Sequence, residues 1–432
     1  MPQMAPRRGA ATTRRATQIG GPDRVLTVQE VRSFVHEQLD AADLDGRSVC
    51  VLVPDGTRSC PVPLLLGAVH EALASRVTRL TVLIALGTHA RMGDAELARH
   101  VGAAPGALED RYPGATVLNH EWWEPDTFVS VGAISADRLA ELSEGRFRHQ
   151  PVEVRLNRAV VEHDVTLVVG PVFPHEVVGF SGGNKYLFPG VSSQEVINVS
   201  HWLGALITSA QITGTRGSTP VRALIDEAVS LVPSDKLAFC VVVQSGSVEM
   251  HSIAFGDTRA AWEAAADVAT QTHIRYLDAP VRRVLSIVPT MYHDIWTAAK
   301  GFYKVEPVVT DGGQVVIYAP HVREVSVTHP EIYQIGYHCR DYFVQQWDRF
   351  KIVPWGVLAH STHLFGAGTY AEATGEERGR VTVTLATGIP EHQVRAVNLD
   401  HLDPADVDAR AWAADPDTLV VPRAGEDLFR LR

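Results

Sequence analysis

Short, almost unbroken apolar runs rich in β-branched residues recur along this chain, with longer helical stretches between them. Ser48-Val-Cys-Val-Leu-Val53, Leu80-Thr-Val-Leu-Ile-Ala-Leu86 and Val165-Thr-Leu-Val-Val-Gly170 are such runs. Val62 to Leu73 and Asp94 to Arg99 read as helices between them, with Asp94 as a cap. A strand that is apolar all round must be covered on both faces. That condition selects βαβ units and a mostly parallel sheet over hairpins with one wet face. A second series begins near Arg282, with strands over Val284–Val288 and Gln314–Ala319 and a helix from Ile295 to Phe302.

The expectation is an α/β protein of two domains, with mostly parallel sheets covered by helices and the active site in the cleft between the domains. The first domain is placed at residues 23–272 and the second at 280–410, since the helical pattern from Thr258 fades before Ala279. Residues 411–432, with Leu419–Val421 as a short strand, form a closing segment that packs back on the first domain. Residues 1–22 carry Arg7, Arg8, Arg14 and Arg15, no acidic residue and no apolar leader core, and read as a disordered tail.

Composition narrows the classes. With 39 Lys+Arg against 50 Asp+Glu the formal charge is −11, which argues against a nucleic-acid binder, because phosphate binding needs clustered cations. No apolar run reaches the roughly 20 residues of a membrane helix. Cys50, Cys60, Cys240 and Cys339 are widely spaced with no CxxC, so reduced thiols and a cytoplasmic location are expected.

In open α/β sheets ligands bind at the carboxyl ends of the strands. Three predicted strands end in polar residues: Asp55, Thr57 and Arg58; then Thr88 and His89; then His175. These should meet on one edge. The loop Pro174-His-Glu-Val-Val-Gly-Phe-Ser-Gly-Gly-Asn-Lys-Tyr-Leu-Phe-Pro-Gly190 is the richest stretch. Gly179, Gly182, Gly183 and Gly190 beside Lys185 suit an anion, most often a phosphate. It is not a P-loop, since Asn184 and Tyr186 flank the lysine, and no GxGxxG occurs there. Of 19 histidines, His89, His175 and His201 lie in or beside such loops, and HExxH is absent. Beside Lys185 and Arg58 they point to acid–base or metal chemistry. A zinc hydrolase built on these three histidines and a nucleotide-binding module without chemistry both stay open at this point.

The set Asp55-Gly-Thr-Arg58, Gly87-Thr-His89, His175 with Gly179-Phe-Ser-Gly-Gly-Asn-Lys185, His201, and Asp294-Ile-Trp-Thr-Ala-Ala-Lys300-Gly301 resembles the nickel-pincer-dependent lactate racemase family. The likeness runs from about residue 25 to 410, with one His ten residues before the loop lysine and another sixteen after it. It implies a racemase or epimerase of a 2-hydroxy acid, an isomerase working by reversible hydride transfer. The cofactor implied is a pyridinium-3,5-bisthiocarboxylic acid mononucleotide carrying nickel, made by separate cofactor-synthesis proteins.

On that resemblance Lys185 would tether the cofactor and His201 would ligate nickel. Asp55, Thr57, Ser181, Gly182 and Gly183 would contact the nucleotide, with Asp55 touching the cofactor or orienting Arg58. His89 and His175 would be the acid–base pair, and Arg58 and Lys300 would bind the substrate carboxylate. Trp296-Thr297 replace a Tyr-Gln of the lactate enzymes, so a substrate larger than or different from lactate is expected, a C2-epimerised sugar acid being the alternative. Tyr292, His293, Asp294, His338, His360 and His363 are expected mostly at the surface or core edge; any lining the cleft would favour a larger or polyhydroxylated acid.

Overall fold

The computed structural model describes residues 15–147 and 149–432. Arg7, Arg8 and Arg14 lie outside the described residues. The chain forms two sheets flanked by helices, the α/β architecture that the apolar runs require.

The first sheet has seven strands in the order Thr17–Gly20, Met250–Asp257, Asp235–Val243, Val165–Pro171, Ser48–Pro54, Arg79–Ala85 and Ala115–Asn119. The last five pair in parallel, while Met250–Asp257 is antiparallel to both of its neighbours. All seven residues of Ser48–Pro54 and of Val165–Pro171 are buried, as central strands covered on both faces must be. Apolar clusters occupy the two faces, one including Leu52, Val168 and Leu203 and the other Val51, Leu66 and Val169. The covering helices follow local rules: Val28–Asp40 starts at a capping box of Thr27 and Glu30 and buries Val31, Phe34, Val35 and Leu39.

Thr17–Gly20, inside the stretch expected to be a disordered tail, is instead an edge strand paired with Phe255 to Ser252. Its ordering comes from backbone pairing with the sheet edge, which a weak side-chain pattern does not reveal.

The second sheet has five parallel strands in the order Asp400–His401, Thr382–Thr387, Val309–Ala319, Val281–Ile287 and Thr418–Val421. Thr418–Val421, in the segment expected to return to the first domain, is an edge of this second sheet. The last residues of the chain do return: Leu428–Leu431 pairs with Ile274–Leu277, and Leu428 enters the first domain's core. On the way, Ala424 donates its amide to the Ile287 carbonyl, so this segment ties both units.

The two units also meet through helices Gln194–Ile207 and Trp355–Phe365. Trp202, Ala205, Phe343, Phe350, Leu358 and Ala359 make an apolar cluster across this contact, with Trp202 stacked on Trp347 at 5.3 Å. In the first sheet the parallel connections run outward in opposite directions from Ser48–Pro54 and Val165–Pro171. A crevice therefore opens at the carboxyl ends of this pair, the position where such sheets bind ligands.

Candidate active site

At that crevice lies a cleft enclosing about 1200 Å³ of space including its open mouth. Its first-domain lining includes Asp55, Arg58, His89, His175, Ser181, Gly182, Lys185 and His201. The second domain supplies Trp296, Lys300, Tyr303, His329, His360 and His363.

Asp55 organises the loop after Ser48–Pro54. Its Oδ1 accepts from the Thr57 amide (3.1 Å) and hydroxyl (2.7 Å), and Arg58 Nη1 donates to the Thr57 hydroxyl (2.9 Å) and carbonyl (3.0 Å). Asp55 Oδ2 makes a close hydrogen bond with His89 Nδ1. Burial alone would raise the Asp55 carboxyl, but His89, then Arg58 and the Thr57 hydroxyl, hold it well below the usual range. An ionised acceptor fixes the proton on His89 Nδ1 and leaves Nε2 as the basic nitrogen. Thr57 itself lies behind the cleft. Asp55 thus orients Arg58 through Thr57 and also holds the first imidazole.

The Gly-rich loop follows Val165–Pro171. Ser181 is bonded back into the loop: its hydroxyl accepts from the Phe173 amide (2.9 Å) and its carbonyl from Trp262 Nε1 (2.9 Å). Gly182 and Gly183 have φ of +85° and +56°. A Cβ on Gly183 would stand 2.8 Å from the Trp262 Cβ and 2.9 Å from the Thr258 carbonyl, so this position answers to helix packing and faces away from the cleft. Asn184 is clamped by Asp226 and Thr258, which aims the next residue, Lys185, inward.

Lys185 is lowered to about 8 by burial and then by Arg58. Lys300, across the cleft, is lowered to about 7 by burial and then Arg58; it rests over the Tyr292 ring at 4.8 Å and donates to the Thr297 carbonyl at 3.3 Å. Arg58, Lys185 and Lys300 thus share one cleft with Asp55 and Glu176 as the carboxylates that line it, an arrangement that favours entry of an anion. His201 Nδ1 lies 2.8 Å from the Ile197 carbonyl, one helical turn back, which leaves Nε2 for the cleft. Burial and then Lys185 push its imidazole down to about 4, so it is a neutral donor near neutrality.

His175 is more deeply buried than His201 and is lowered well below its usual value by burial, then Lys185 and Arg58. Its Nδ1 accepts from the Val177 amide at 3.1 Å, and the Glu176 carboxylate stands 3.2 Å from the same nitrogen.

The second domain contributes rings. Trp296 lies between His329 (4.0 Å) and His360 (3.9 Å), and His329 also stacks near Trp122 at 6.3 Å. Thr297 does not line the cleft; its amide and hydroxyl both bond to Asp294, capping the turn that carries Lys300. Ile295 to Phe302 is two short turns, Ile295–Ala298 and Lys300–Tyr303, rather than one helix. His360 and His363, expected at a surface or core edge, are buried and line the cleft, because their helix packs on Gln194–Ile207. His293 is exposed as expected.

Glu176, Tyr303 and His329 were not singled out by the sequence. Glu176 is a neighbour of His175, which is the one signal available. His329 and Tyr303 carry none. Among the described residues no group of three or more His, Cys, Asp or Glu is arranged to hold a metal ion. The zinc reading, in which His89, His175 and His201 share one ion, therefore lacks its ligand cluster; a site needing one protein ligand does not require it.

The lactate racemase N-terminal domain family matches residues 28–214. Lactate racemase of Lactiplantibacillus plantarum is 23% identical over 289 residues, 66% of this chain and 62% of that protein. Lactate racemase of Thermoanaerobacterium thermosaccharolyticum is 22% identical over 279 residues, 63% of this chain and 60% of that protein. The chain thus spans about three fifths of the length of these curated relatives. A crystal structure of a Thermotoga maritima protein superposes with a TM-score of 0.87 at 30% identity, covering 96% of this chain and 100% of that one. The lactate racemase apoprotein of Thermoanaerobacterium thermosaccharolyticum superposes with a TM-score of 0.70 at 17% identity over 94% of this chain and 93% of that one, a likeness of fold. Arg58, His89, His175, Lys185 and His201 all lie inside the matched span and are gathered on one cleft, so residues 28–214 of this chain form a domain of the lactate racemase N-terminal family.

Proposed function

We propose that this chain racemises or epimerises a 2-hydroxy acid by reversible hydride transfer, using a nickel-pincer nucleotide tethered to Lys185 with His201 as the protein ligand to nickel. One observation carries the reading: Lys185, His201, His89, His175, Arg58 and Lys300 line a single cleft.

The residues fit such a group. Lys185 is a half-buried amine lowered to about 8, more available as a nucleophile than a surface lysine. His201 offers a neutral nitrogen, its other nitrogen being engaged by Ile197. A nitrogen donor beside sulfur ligands suits square-planar nickel. When bound, the nucleotide supplies a reversible acceptor for the hydride on the substrate's Cα.

The chain's own residues do the rest. Arg58 and Lys300 bind the carboxylate, Arg58 being pre-aimed by Thr57 and Asp55. His89, with Nε2 basic, takes the hydroxyl proton on one face of the carbon. His175 serves the other face, because inverting a centre requires a proton to be handled on both sides. The flat keto acid must stay bound between the two halves of the cycle, and the cleft walls from both domains exclude water around it.

Trp296 in the second wall favours an acid other than lactate. C2 epimerisation of a sugar acid is a second reading, supported by His363, whose buried Nε2 has no hydrogen-bond partner and whose side chain lines the cleft. The proteins that build the nucleotide are the partners this reading requires, and four unpaired cysteines fit the cytoplasmic location that goes with it. No helix among the described residues is long and apolar enough to cross a membrane.

The test is to express the chain with the cofactor-synthesis proteins and follow single enantiomers of lactate, longer hydroxy acids and aldonic acids by chiral chromatography. Nickel and an added mass on the Lys185 peptide are expected, and both should vanish in Lys185→Ala. Loaded protein that inverts none of these acids, or an adduct that survives in Lys185→Ala, would reject the proposal.

A further inference from the structure

The two imidazoles assigned to proton transfer are wired differently. His89 Nδ1 faces the ionised Asp55 carboxylate, so neutral His89 carries its proton on Nδ1 and presents a lone pair at Nε2. His175 Nδ1 accepts a hydrogen bond from the Val177 amide at 3.1 Å. A ring nitrogen that accepts an N–H has no proton of its own, so neutral His175 is the Nε2–H tautomer. That tautomer can donate a hydrogen bond to a substrate oxygen, but it has no lone pair there with which to take a proton.

For Nε2 of His175 to act as a base, the ring's proton must sit on Nδ1, and for Nε2 to act as an acid both nitrogens must carry one. In either state Nδ1–H opposes the Val177 amide and needs an acceptor. Glu176 is in place: its Oε2 is 3.2 Å from Nδ1. Tyr303 bonds to the same carboxyl group, and Lys300, His363 and Lys185 keep it ionised against the effect of burial. The other charged or titratable groups facing His175 are cations or neutral rings: Arg58, Lys185, Lys304 and His201. None of them can accept Nδ1–H in place of Glu176.

The geometry points to Glu176 as the positioning residue for His175, the counterpart of Asp55 for His89, accepting Nδ1–H in the states where His175 transfers a proton. The inference rests on the racemase reading for its purpose. In the acid step the Nε2 proton passes to the alkoxide oxygen that forms as the keto carbon regains its hydride. The N–H electron pair stays on Nε2, and the ring is left neutral with its remaining proton on Nδ1, bonded to Glu176. In the reverse step Nε2 takes the hydroxyl proton back. His89 is preset for this chemistry, whereas His175 is held in a donor form until Glu176 replaces Val177 as its partner.

Nitrogen-15 NMR of the imidazoles in the cofactor-free full chain tests this, with signals assigned by His89→Gln and His175→Gln. Near neutral pH, His89 is expected as Nδ1–H and His175 as Nε2–H. Glu176→Gln should lower the pH at which His175 takes a second proton by on the order of one unit and leave His89 unchanged. Asp55→Asn should free His89 from its fixed Nδ1–H tautomer and leave His175 unchanged, and Glu176→Asp should fall between wild type and Glu176→Gln. A Glu176→Gln spectrum in which His175 is unchanged, or in which His89 moves equally, would overturn the proposal. If Glu176→Gln does not fold, Glu176→Asp still decides, an unmoved His175 there overturning the proposal.

In loaded enzyme, Glu176→Gln should slow racemisation at least about tenfold, with kcat/KM falling equally in both directions, since enantiomers are equal in energy. The NMR readout needs neither cofactor nor substrate. A loaded enzyme that inverts nothing while Glu176→Gln shifts His175 as expected removes the racemase reading alone, and an unmoved His175 in Glu176→Gln of an active racemase removes this inference alone.

Discussion

The two walls of the cleft are built on different principles. The first-domain wall is made of charges held by hydrogen bonds: Asp55 fixes Thr57, Arg58 and His89 within a few residues of two strand ends. The second-domain wall, apart from Lys300, is made of stacked rings, Trp296 between His329 and His360. Hydrogen bonds to charged groups set direction and protonation state, which proton transfer demands. Stacked neutral rings set shape and leave charge out. Under the proposed function, the contrast would give reaction chemistry to the first wall and choice of substrate to the second.

Breaking the first wall should have the largest effect. Asp55→Asn loosens Arg58 and removes the acceptor for His89 Nδ1–H together, so kcat/KM of loaded enzyme is expected to fall about 10³-fold for every substrate alike. A loss that varies strongly from one acid to another would contradict the division. Next comes the one charge of the second wall. Lys300→Met should raise KM by about 10- to 100-fold with a smaller change in kcat, since on the proposed function it deletes a charge-assisted contact to the carboxylate. Steady-state kinetics at matched cofactor loading reads the split.

A change in the rings should be milder and selective. Trp296→Tyr with Thr297→Gln is expected to shift the ratio of kcat/KM values between lactate and longer hydroxy acids by about tenfold toward lactate, while keeping the adduct on Lys185. An unchanged ratio would remove the second wall from substrate choice.

The smallest effect is a pH dependence. Lys300 is lowered to about 7 from an unfolded value of 10.5 by burial and then Arg58. Between those values the unfolded chain binds a proton that the folded one lacks, so stability of the cofactor-free protein should rise with pH across this window. Binding a 2-hydroxy acid anion returns the proton to Lys300. Calorimetry near pH 8 in buffers of different ionisation heat should show proton uptake, with affinity falling as pH rises; heats independent of buffer would count against Lys300 as the carboxylate site.

Much of the first wall is legible along the chain. Ser48–Pro54 and Val165–Pro171 are unbroken apolar runs, and the polar residues after them appear where an α/β sheet exposes its strand ends. The second wall is not legible, for a physical reason. His360 and His363 sit on a helix whose every residue from Gly356 to Leu364 is buried, so nothing in its pattern marks one face as cleft-lining. That face is chosen by contact with Gln194–Ile207 from the other domain, where the Gly356 amide bonds to Asn198 Oδ1 at 3.0 Å. The glycines mislead in part: Gly183 admits Trp262 rather than a ligand. Thr297, expected to touch substrate, has its polar groups used by Asp294. The edge strand Thr17–Gly20 escapes any local pattern because its order comes from a neighbour more than 200 residues away.

By itself, the order of residues determined the architecture and the chemical inventory: covered parallel strands, loops with Asp55, Arg58, His89, His175 and Lys185 at their ends, and a basic residue at Lys300. Those features depend on local periodicity and chain connectivity, which act over tens of residues. Tertiary packing alone decided that Asp55 meets His89, which rings face Trp296, and that His360 and His363 line the cleft. These outcomes depend on contacts between groups brought together from several elements and both domains, and no one-dimensional pattern encodes them.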